Sequence, residues 1–113
     1  MRWIPLLFVL AVGCGPKPIG RPYNEAIAAQ LALGTATATE VKKAMGAPYQ
    51  ARALVRSEAP EDCPAARESW SYSYDDFKES TCASSLYFDE TARLCGRTTK
   101  ATKRGPACSG VAP

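Results

Sequence analysis

The chain has 113 residues, a net charge of +3 and no histidine. This length suits one small domain once any targeting segment is set aside. Histidine is the residue that most often performs acid–base catalysis near neutral pH, so its absence counts against that chemistry. The small positive charge does not point to any class of partner.

The first fourteen residues resemble a bacterial export signal that ends in a lipid-modified cysteine. Arg2 supplies a positive charge, residues 3–12 are apolar apart from Pro5, and small residues lead into Cys14. The apolar run is shorter than the ~20 residues of a stable membrane-spanning helix. We therefore expect residues 1–13 to be a cleaved signal peptide. The alternative is an uncleaved apolar N-terminus with an incidental cysteine.

Lipidation of Cys14 would leave the mature protein anchored by a diacylglycerol group and a further acyl chain such as palmitate. Each buried methylene contributes about 0.8 kcal/mol, so several chains anchor far better than one. Gly15 follows the cysteine, and by resemblance to Gram-negative lipoproteins this favours the outer membrane, with the domain in the periplasm. Residues 14–22 contain three prolines and are predicted to form an extended tether.

Four further cysteines fit an exported domain. Cys63, Cys82, Cys95 and Cys108 are an even number once Cys14 is acylated. An oxidising compartment favours their pairing in two disulfides. The chain has no Cys-x-x-Cys pair and no histidine, so neither a structural zinc site nor a thioredoxin-like redox site is expected. We expect no metal and no cofactor.

Two short helices are predicted in the first half of the domain. Asn24 is a suitable N-cap for a helix over residues 25–33, which are rich in Ala and Leu. Thr37 and Glu40 have the spacing of a capping box at the start of a second helix. Gly46, followed by proline at position 48, ends that helix.

Three strands are predicted in the second half. Residues 70–74 alternate large aromatic with small polar side chains, which is typical of a half-buried strand. Residues 86–88 and 93–99 are expected to follow as the second and third strands. Residues 49–67 have the composition of a loop, with residues 53–55 as a candidate edge strand. The predicted inward-facing residues are Trp70, Tyr72, Tyr74, Leu86, Phe88 and Leu94.

These elements predict an α+β fold in which two short helices pack on one face of a three-stranded antiparallel sheet. The domain is expected to span residues 23–99, with residues 100–113 as a tail pinned by Cys108. The register of a three-stranded meander favours the pairs Cys63–Cys95 and Cys82–Cys108 among three possible connectivities.

The order of several short motifs resembles the SmpA/OmlA (BamE-like) domain of small outer-membrane lipoproteins. The resemblance covers roughly residues 24–99. Its marks are Gly34 and Thr37, Glu40-Val41, Gly46-Ala47-Pro48, Trp70-Ser71-Tyr72, and Leu86-Tyr87-Phe88-Asp89 with Leu94. It implies a role in supporting the machinery that inserts β-barrel proteins into the outer membrane. The four domain cysteines, and Ala92 where the family usually has glycine, depart from the pattern.

No catalytic constellation stands out. Asp75-Asp76 and Asp89-Glu90 fall in predicted turns and Glu61-Asp62 in a loop, where acidic residues usually have turn or solvation roles. The serines lack a base that would activate a nucleophile. We therefore expect no enzymatic activity, and the acidic pairs are the sites to mutate if an activity is detected.

A binding role is the main hypothesis. Tyr87, Arg93 and Arg97 are predicted to lie on an open sheet face and to contact an envelope protein, with the helix-connecting turn over residues 34–37 as a second candidate surface. The alternative is a membrane-tethered, disulfide-stapled inhibitor or ligand-binding module whose specificity lies in residues 49–67. Nucleic acid is not an expected partner of an exported protein.

Basic residues cluster near the C-terminus. On a membrane-tethered domain they would lie close to anionic lipid head groups, where each contributes ~1 kcal/mol. A solvated, partnerless tail explains the same cluster. The residues are Arg97, Lys100, Lys103 and Arg104.

Overall fold

The computed structural model describes residues 17–110, so the predicted signal peptide and Cys14 lie outside the described residues. Within that range the chain forms two short α-helices and a five-stranded antiparallel sheet. Two 3₁₀ turns, at Arg56–Glu58 and Pro106–Cys108, complete the regular structure. The elements in chain order are β1 (Ile19–Gly20), α1 (Glu25–Gln30), α2 (Ala38–Met45), β2 (Gln50–Ala53), β3 (Ala66–Asp75), β4 (Thr81–Asp89) and β5 (Leu94–Lys103).

The predicted three-stranded sheet is wrong, because β1 and β2 both pair with the free edge of β3. β1 takes one end of that edge, with Ile19 opposite Asp75, and β2 takes the middle, with Gln50 opposite Ser71. β1 has only two residues and lies within the segment predicted as tether. All four β2 residues are exposed, so β2 shows no alternation of apolar and polar residues. Both strands are held by backbone hydrogen bonds to β3. Such bonds do not depend on the side chains, so the sequence pattern could not predict these strands.

Both helices begin with the N-cap residues that the sequence predicts, Asn24 and Thr37. Asn24 Oδ1 accepts hydrogen bonds from the backbone N–H groups of Ala26 at 3.0 Å and Ile27 at 3.3 Å. The predicted capping box of Thr37 and Glu40 is present, with both reciprocal bonds made. α1 ends at Gln30, three residues earlier than predicted, because the next residue already has extended backbone angles.

The core lies between the two helices and one face of the sheet. All six residues predicted to face inward are buried, which confirms the predicted alternation. Trp70 and Phe88 pack with their ring centroids 4.6 Å apart, and Val41 of α2 is fully buried against the sheet. Full burial of an apolar side chain of this size contributes about 1.5–3 kcal/mol. Ala28 is the fully buried residue of α1.

Both predicted disulfides are present and have the predicted pairing. Cys63–Cys95 joins the loop after β2 to β5, and Cys82–Cys108 joins β4 to the segment after β5. β5 continues to Lys103, beyond the boundary predicted at residue 99. The sheet therefore has two distinguishable ends. We call them the β1 end, which carries β1 and the β3–β4 turn, and the Asp89 end, which carries the β4–β5 turn.

Candidate partner-binding surface

Tyr87, the first of the predicted contact residues, is covered by the loop that Cys63 closes. Its half-buried ring packs beside Leu54, Cys63 and Ala66, which form a small second core on the sheet face away from the helices. Gly96 lies opposite Tyr87 in the register, and a β-carbon added there would be 3.3 Å from Cys63 Cβ. The sheet face that was predicted to be open is therefore covered at Tyr87 by this loop.

Arg97 lies on the other face of the sheet, under the helices. It pairs with the buried Leu86 in the register. Its guanidinium donates hydrogen bonds to the carbonyl oxygen of Leu31 and, at 3.4 Å, to that of Ala28. A positive charge is favourable beside the carbonyl groups at the end of a helix. Arg97 thus positions α1 and does not share a surface with Tyr87.

Arg93 is exposed and lies beside the turn that connects the two helices. It forms an isolated β-bridge with Thr37. Next to it, Leu94 donates to the carbonyl oxygen of Ala36 at 2.8 Å and accepts from the N–H of Gly34 at 2.7 Å. The structure therefore brings two of the predicted contact sites together, Arg93 and the turn over residues 34–37, at the Asp89 end.

A groove between α1 and α2 opens beside this turn. Its volume is about 560 Å³, within the range of sites that bind small molecules or peptide side chains. Small and apolar side chains form much of its lining, and polar side chains complete it. The lining residues are Gln30, Leu31, Ala32, Thr35, Ala36, Glu40, Lys43 and Ala44. Leu33, which follows Ala32 in the chain, is 49% exposed. We call the eight lining residues, without Leu33, the helix groove.

The polar residues of the helix groove carry both signs of charge. Hydrogen bonds from the backbone N–H and hydroxyl of Thr37, at 3.0 and 3.1 Å, lower the pKa of Glu40 below its ordinary value. Glu40 therefore stays ionised, and Lys43 follows it one helical turn later. Because the two charges offset each other, the helix groove is suited to an apolar segment with few charges of its own.

The sequence did not reveal the helix groove as a site. Its Ala-rich lining was interpreted only as helix propensity, although small side chains in α2 and in the connection that precedes it also leave space between them. Ala32, Ala36 and Ala44 have that effect here. A cluster of alanines on both sides of a helix-connecting turn is the signal that sequence reasoning missed.

A smaller cavity of about 200 Å³ lies where α2 ends. Two of its polar side chains are already paired: Tyr72 donates to the carbonyl oxygen of Gly46 at 2.7 Å, and Arg21 donates to that of Pro48 at 2.7 Å. Burial raises the pKa of Tyr72 to about 12, so the hydroxyl remains a donor at neutral pH. These hydrogen bonds join the end of α2 to the sheet and leave few free polar groups for a ligand.

Aspartates of two of the three acidic pairs serve the β3–β4 and β4–β5 turns. Asp76 Oδ1 accepts from the backbone N–H groups of three following residues, Lys78, Glu79 and Ser80, at 2.9–3.1 Å. Asp89 accepts from the hydroxyl of Thr91 and from nearby backbone N–H groups. These bonds lower the pKa of both carboxyl groups. Within residues 17–110, no group of three or more His, Cys, Asp or Glu is placed to hold a metal ion.

The chain was compared with known proteins at three levels. No protein-family model, no curated protein and no solved structure matches it. In the part of the chain that the structure describes, no helix is long and apolar enough to cross a membrane. The function must therefore be inferred from the N-terminal sequence and from the geometry of the domain.

Proposed function

We propose that the protein is an outer-membrane-anchored, periplasmic lipoprotein that binds another envelope protein and performs no chemistry of its own. One observation carries the proposal: the four domain cysteines pair with one another in two disulfides. Disulfides are the expected state of an exported protein. Cys14 is the one cysteine left for acylation, and it stands at the end of an export-like segment.

The helix groove is the proposed contact surface for the partner. Both helices are fixed to the sheet, because Arg97 holds the end of α1 and Leu94 holds the turn between the helices. A fixed groove loses little entropy when it is filled. Its apolar lining suits an amphipathic helix or a short apolar segment of a partner. The β-barrel assembly machinery is the partner that the SmpA/OmlA resemblance implies.

The first experiment is the intact mass of the protein extracted from membranes, before and after reduction. We expect a chain that begins at acylated Cys14 and gains the mass of four hydrogens on reduction, two for each disulfide. A chain that retains residues 1–13, or that has four free thiols, would contradict the proposed compartment.

The second experiment locates the partner by crosslinking in the native envelope. A photoreactive residue at Ala44, in the helix groove, is expected to capture a specific protein. The matched control is the same residue at Thr98, which is exposed on β5 and pairs with Ser85 away from the helices. Equal capture at both positions, or none at Ala44, would refute the helix groove as the contact surface.

A membrane-tethered inhibitor or ligand-binding module is the second candidate function. One observation favours it: Val55, which follows β2, is 61% exposed, and the loop behind it is tied down by Cys63. An exposed apolar residue on a constrained loop is a common form of contact site. Two substitutions separate the candidates once a ligand is captured. Val55→Ser abolishes binding only in the second case, and Ala44→Trp, which fills the helix groove, only in the first.

A further inference from the structure

The β1 end of the sheet carries the features of a membrane-contacting surface. We propose that it rests on the bilayer, with Phe77 among the lipid head groups and lysine side chains against anionic lipid. This inference rests on the proposed lipidation of Cys14 and adds an orientation and a second point of attachment. We call its residues the bilayer patch: Ile19, Phe77, Lys78, Lys100 and Lys103.

The tether is too short to hold this end far from the membrane. Ile19 lies five residue steps after Cys14, and an extended chain spans at most about 3.6 Å per step, or about 18 Å in all. Ile19 is fixed, because it pairs with Asp75 of β3. Gly20 reinforces this attachment, since a β-carbon there would be 2.0 Å from the carbonyl oxygen of Ser73.

The opposite end of the sheet lies much farther from the anchor. β3 has ten residues, and a strand rises about 3.3 Å per residue, so the two ends are about 30 Å apart. The lipid anchor therefore selects the β1 end as the one that meets the bilayer. The helix-connecting turn and Arg93 lie at the Asp89 end, where a partner would reach them.

Two apolar side chains project from the β1 end into solvent. Ile19 and Phe77 are each 50% exposed. Phe77 lies in the β3–β4 turn with φ of 61°, in the left-handed region that favours glycine. A large exposed aromatic residue at such a position serves neither the turn nor the core. An aromatic ring at the head-group level of a membrane is favourable.

Lysines surround these apolar side chains. Lys103 donates to the carbonyl oxygen of Lys78 at 3.1 Å, which places both near Phe77. Lys100 and Ile19 line the same shallow depression of about 360 Å³. Lysine side chains of this kind bury their apolar stems and keep the charge at the lipid head groups.

Two of the acidic groups at this end make hydrogen bonds within the β3–β4 turn. Asp75 Oδ1 accepts from the N–H of Phe77 and the hydroxyl of Thr81, and Asp76 Oδ1 accepts from three backbone N–H groups. Glu79 is the exposed acid of the turn. The carboxylates of Asp75 and Asp76 are therefore held against donors of the turn itself, while Lys78, Lys100 and Lys103 supply the positive charge that would meet anionic lipid.

The test uses the full lipoprotein, reconstituted in vesicles of phosphatidylethanolamine and phosphatidylglycerol whose acyl chains are brominated. Trp70 is buried and is the native tryptophan that remains once residues 1–13 are removed. Phe77→Trp adds a fluorophore to the bilayer patch. Leu33→Trp is the matched control, because Leu33 is 49% exposed and lies beside Gly34 at the Asp89 end.

We expect bromine to quench the added tryptophan at position 77 at least twofold more strongly than the one at position 33. Equal quenching of the two, in vesicles that carry the protein, would overturn the inference and leave the proposed function intact. A chain that does not float with the vesicles lacks the anchor, and that result overturns both proposals.

A charge-reversal pair tests the role of the lysines. In the Phe77→Trp background, the double substitution Lys100→Glu and Lys103→Glu is expected to reduce quenching at least twofold. The same charge reversal at Lys42 and Arg56, which are exposed and belong neither to the bilayer patch nor to the helix groove, is expected to leave quenching unaltered. Equal reduction by both pairs would refute a lipid contact made by the bilayer patch.

Discussion

The guanidinium of Arg97 donates a hydrogen bond to the carbonyl oxygen of Leu31, just beyond the end of α1. A strand residue thereby satisfies a carbonyl group that the helix leaves without a partner. The contact lies where α1 ends, at Gln30, three residues before the end predicted from the sequence. It also fixes one wall of the helix groove, because Leu31 belongs to the lining.

Replacing Arg97 tests this role against a role in binding. We expect Arg97→Ala to lower the free energy of unfolding by about 1.5–3 kcal/mol, the usual contribution of a hydrogen bond to a charged group. Arg93→Ala is the control, because Arg93 is exposed, and its effect should stay within about 0.5 kcal/mol. Urea unfolding measures both. Equal effects would show that the Arg97 contact has no structural role.

Ala92 has a backbone conformation that a residue with a β-carbon rarely adopts. Its φ is 62°, and the left-handed region costs a residue with a β-carbon about 1–2 kcal/mol. Glycine removes this cost but loses about 0.5–1 kcal/mol through the greater entropy of the unfolded chain. We expect Ala92→Gly to raise the free energy of unfolding by about 0.5–1 kcal/mol.

Ala44→Gly is the matched control for that prediction. Ala44 is exposed in the last turn of α2, where glycine costs up to about 1 kcal/mol. Thermal or urea unfolding should therefore shift in opposite directions for the two variants. Destabilisation by both variants would mean that the positive φ at Ala92 costs less than the entropy that glycine adds to the unfolded chain.

The sequence predicted those parts of the fold in which local pattern and final structure agree. The alternation around Trp70 and Tyr72 specified a half-buried strand, and Thr37 with Glu40 specified a helix start. The register of the three long strands also predicted both disulfides. For the strand and the helix start, the signal lies within a few residues of the element it describes, whereas the disulfide prediction depended on the pairing of whole strands.

The remaining features depend on contacts between distant segments. β1 and β2 exist because β3 offers a free edge, and neither has a pattern of its own. Tyr87 follows the alternation of its strand, yet a loop closed by Cys63 covers it. Arg97 was placed on the open face because no bulge was foreseen between Leu94 and Gly96, where the register shifts and reverses the facing of later residues.

The hydroxyl of Tyr72 donates to the carbonyl oxygen of Gly46, and its pKa is raised to about 12 by burial. The folded protein therefore holds the phenol proton more tightly than the unfolded chain does. It follows that stability is fully present below about pH 10 and falls as the pH rises towards about 12. Burial also raises the pKa of Tyr23, which acts with the same sign.

Tyr72→Phe is expected to remove part of this alkaline loss. The variant should be less stable near neutral pH by about 0.5–1.5 kcal/mol, because one hydrogen bond is gone, and its stability should fall less steeply above about pH 10. Tyr49→Phe is the control, since Tyr49 is 42% exposed. Urea unfolding at several pH values gives both quantities. A Tyr72→Phe curve parallel to the wild-type curve would contradict the assignment.

The two disulfides should contribute almost equally to stability, but only Cys63–Cys95 holds the loop that covers Tyr87. Their sequence separations are 26 residues for Cys82–Cys108 and 32 for Cys63–Cys95. Loop-closure entropy then gives about 3.5 and 3.7 kcal/mol. We expect either pair of Cys→Ala substitutions to lower the free energy of unfolding by about 2–4 kcal/mol.

Exposure of Tyr87 distinguishes the two variants. Loss of Cys63–Cys95 frees the loop that covers Tyr87, so this ring should become accessible to nitration, measured by mass spectrometry of the modified peptide. Loss of Cys82–Cys108 affects the other end of the sheet and should leave Tyr87 protected. Equal protection in both variants would mean that Leu54 and Ala66 hold the loop in place without the covalent bond. In that case the disulfide would act chiefly on the unfolded chain, as the entropic account of cross-links describes.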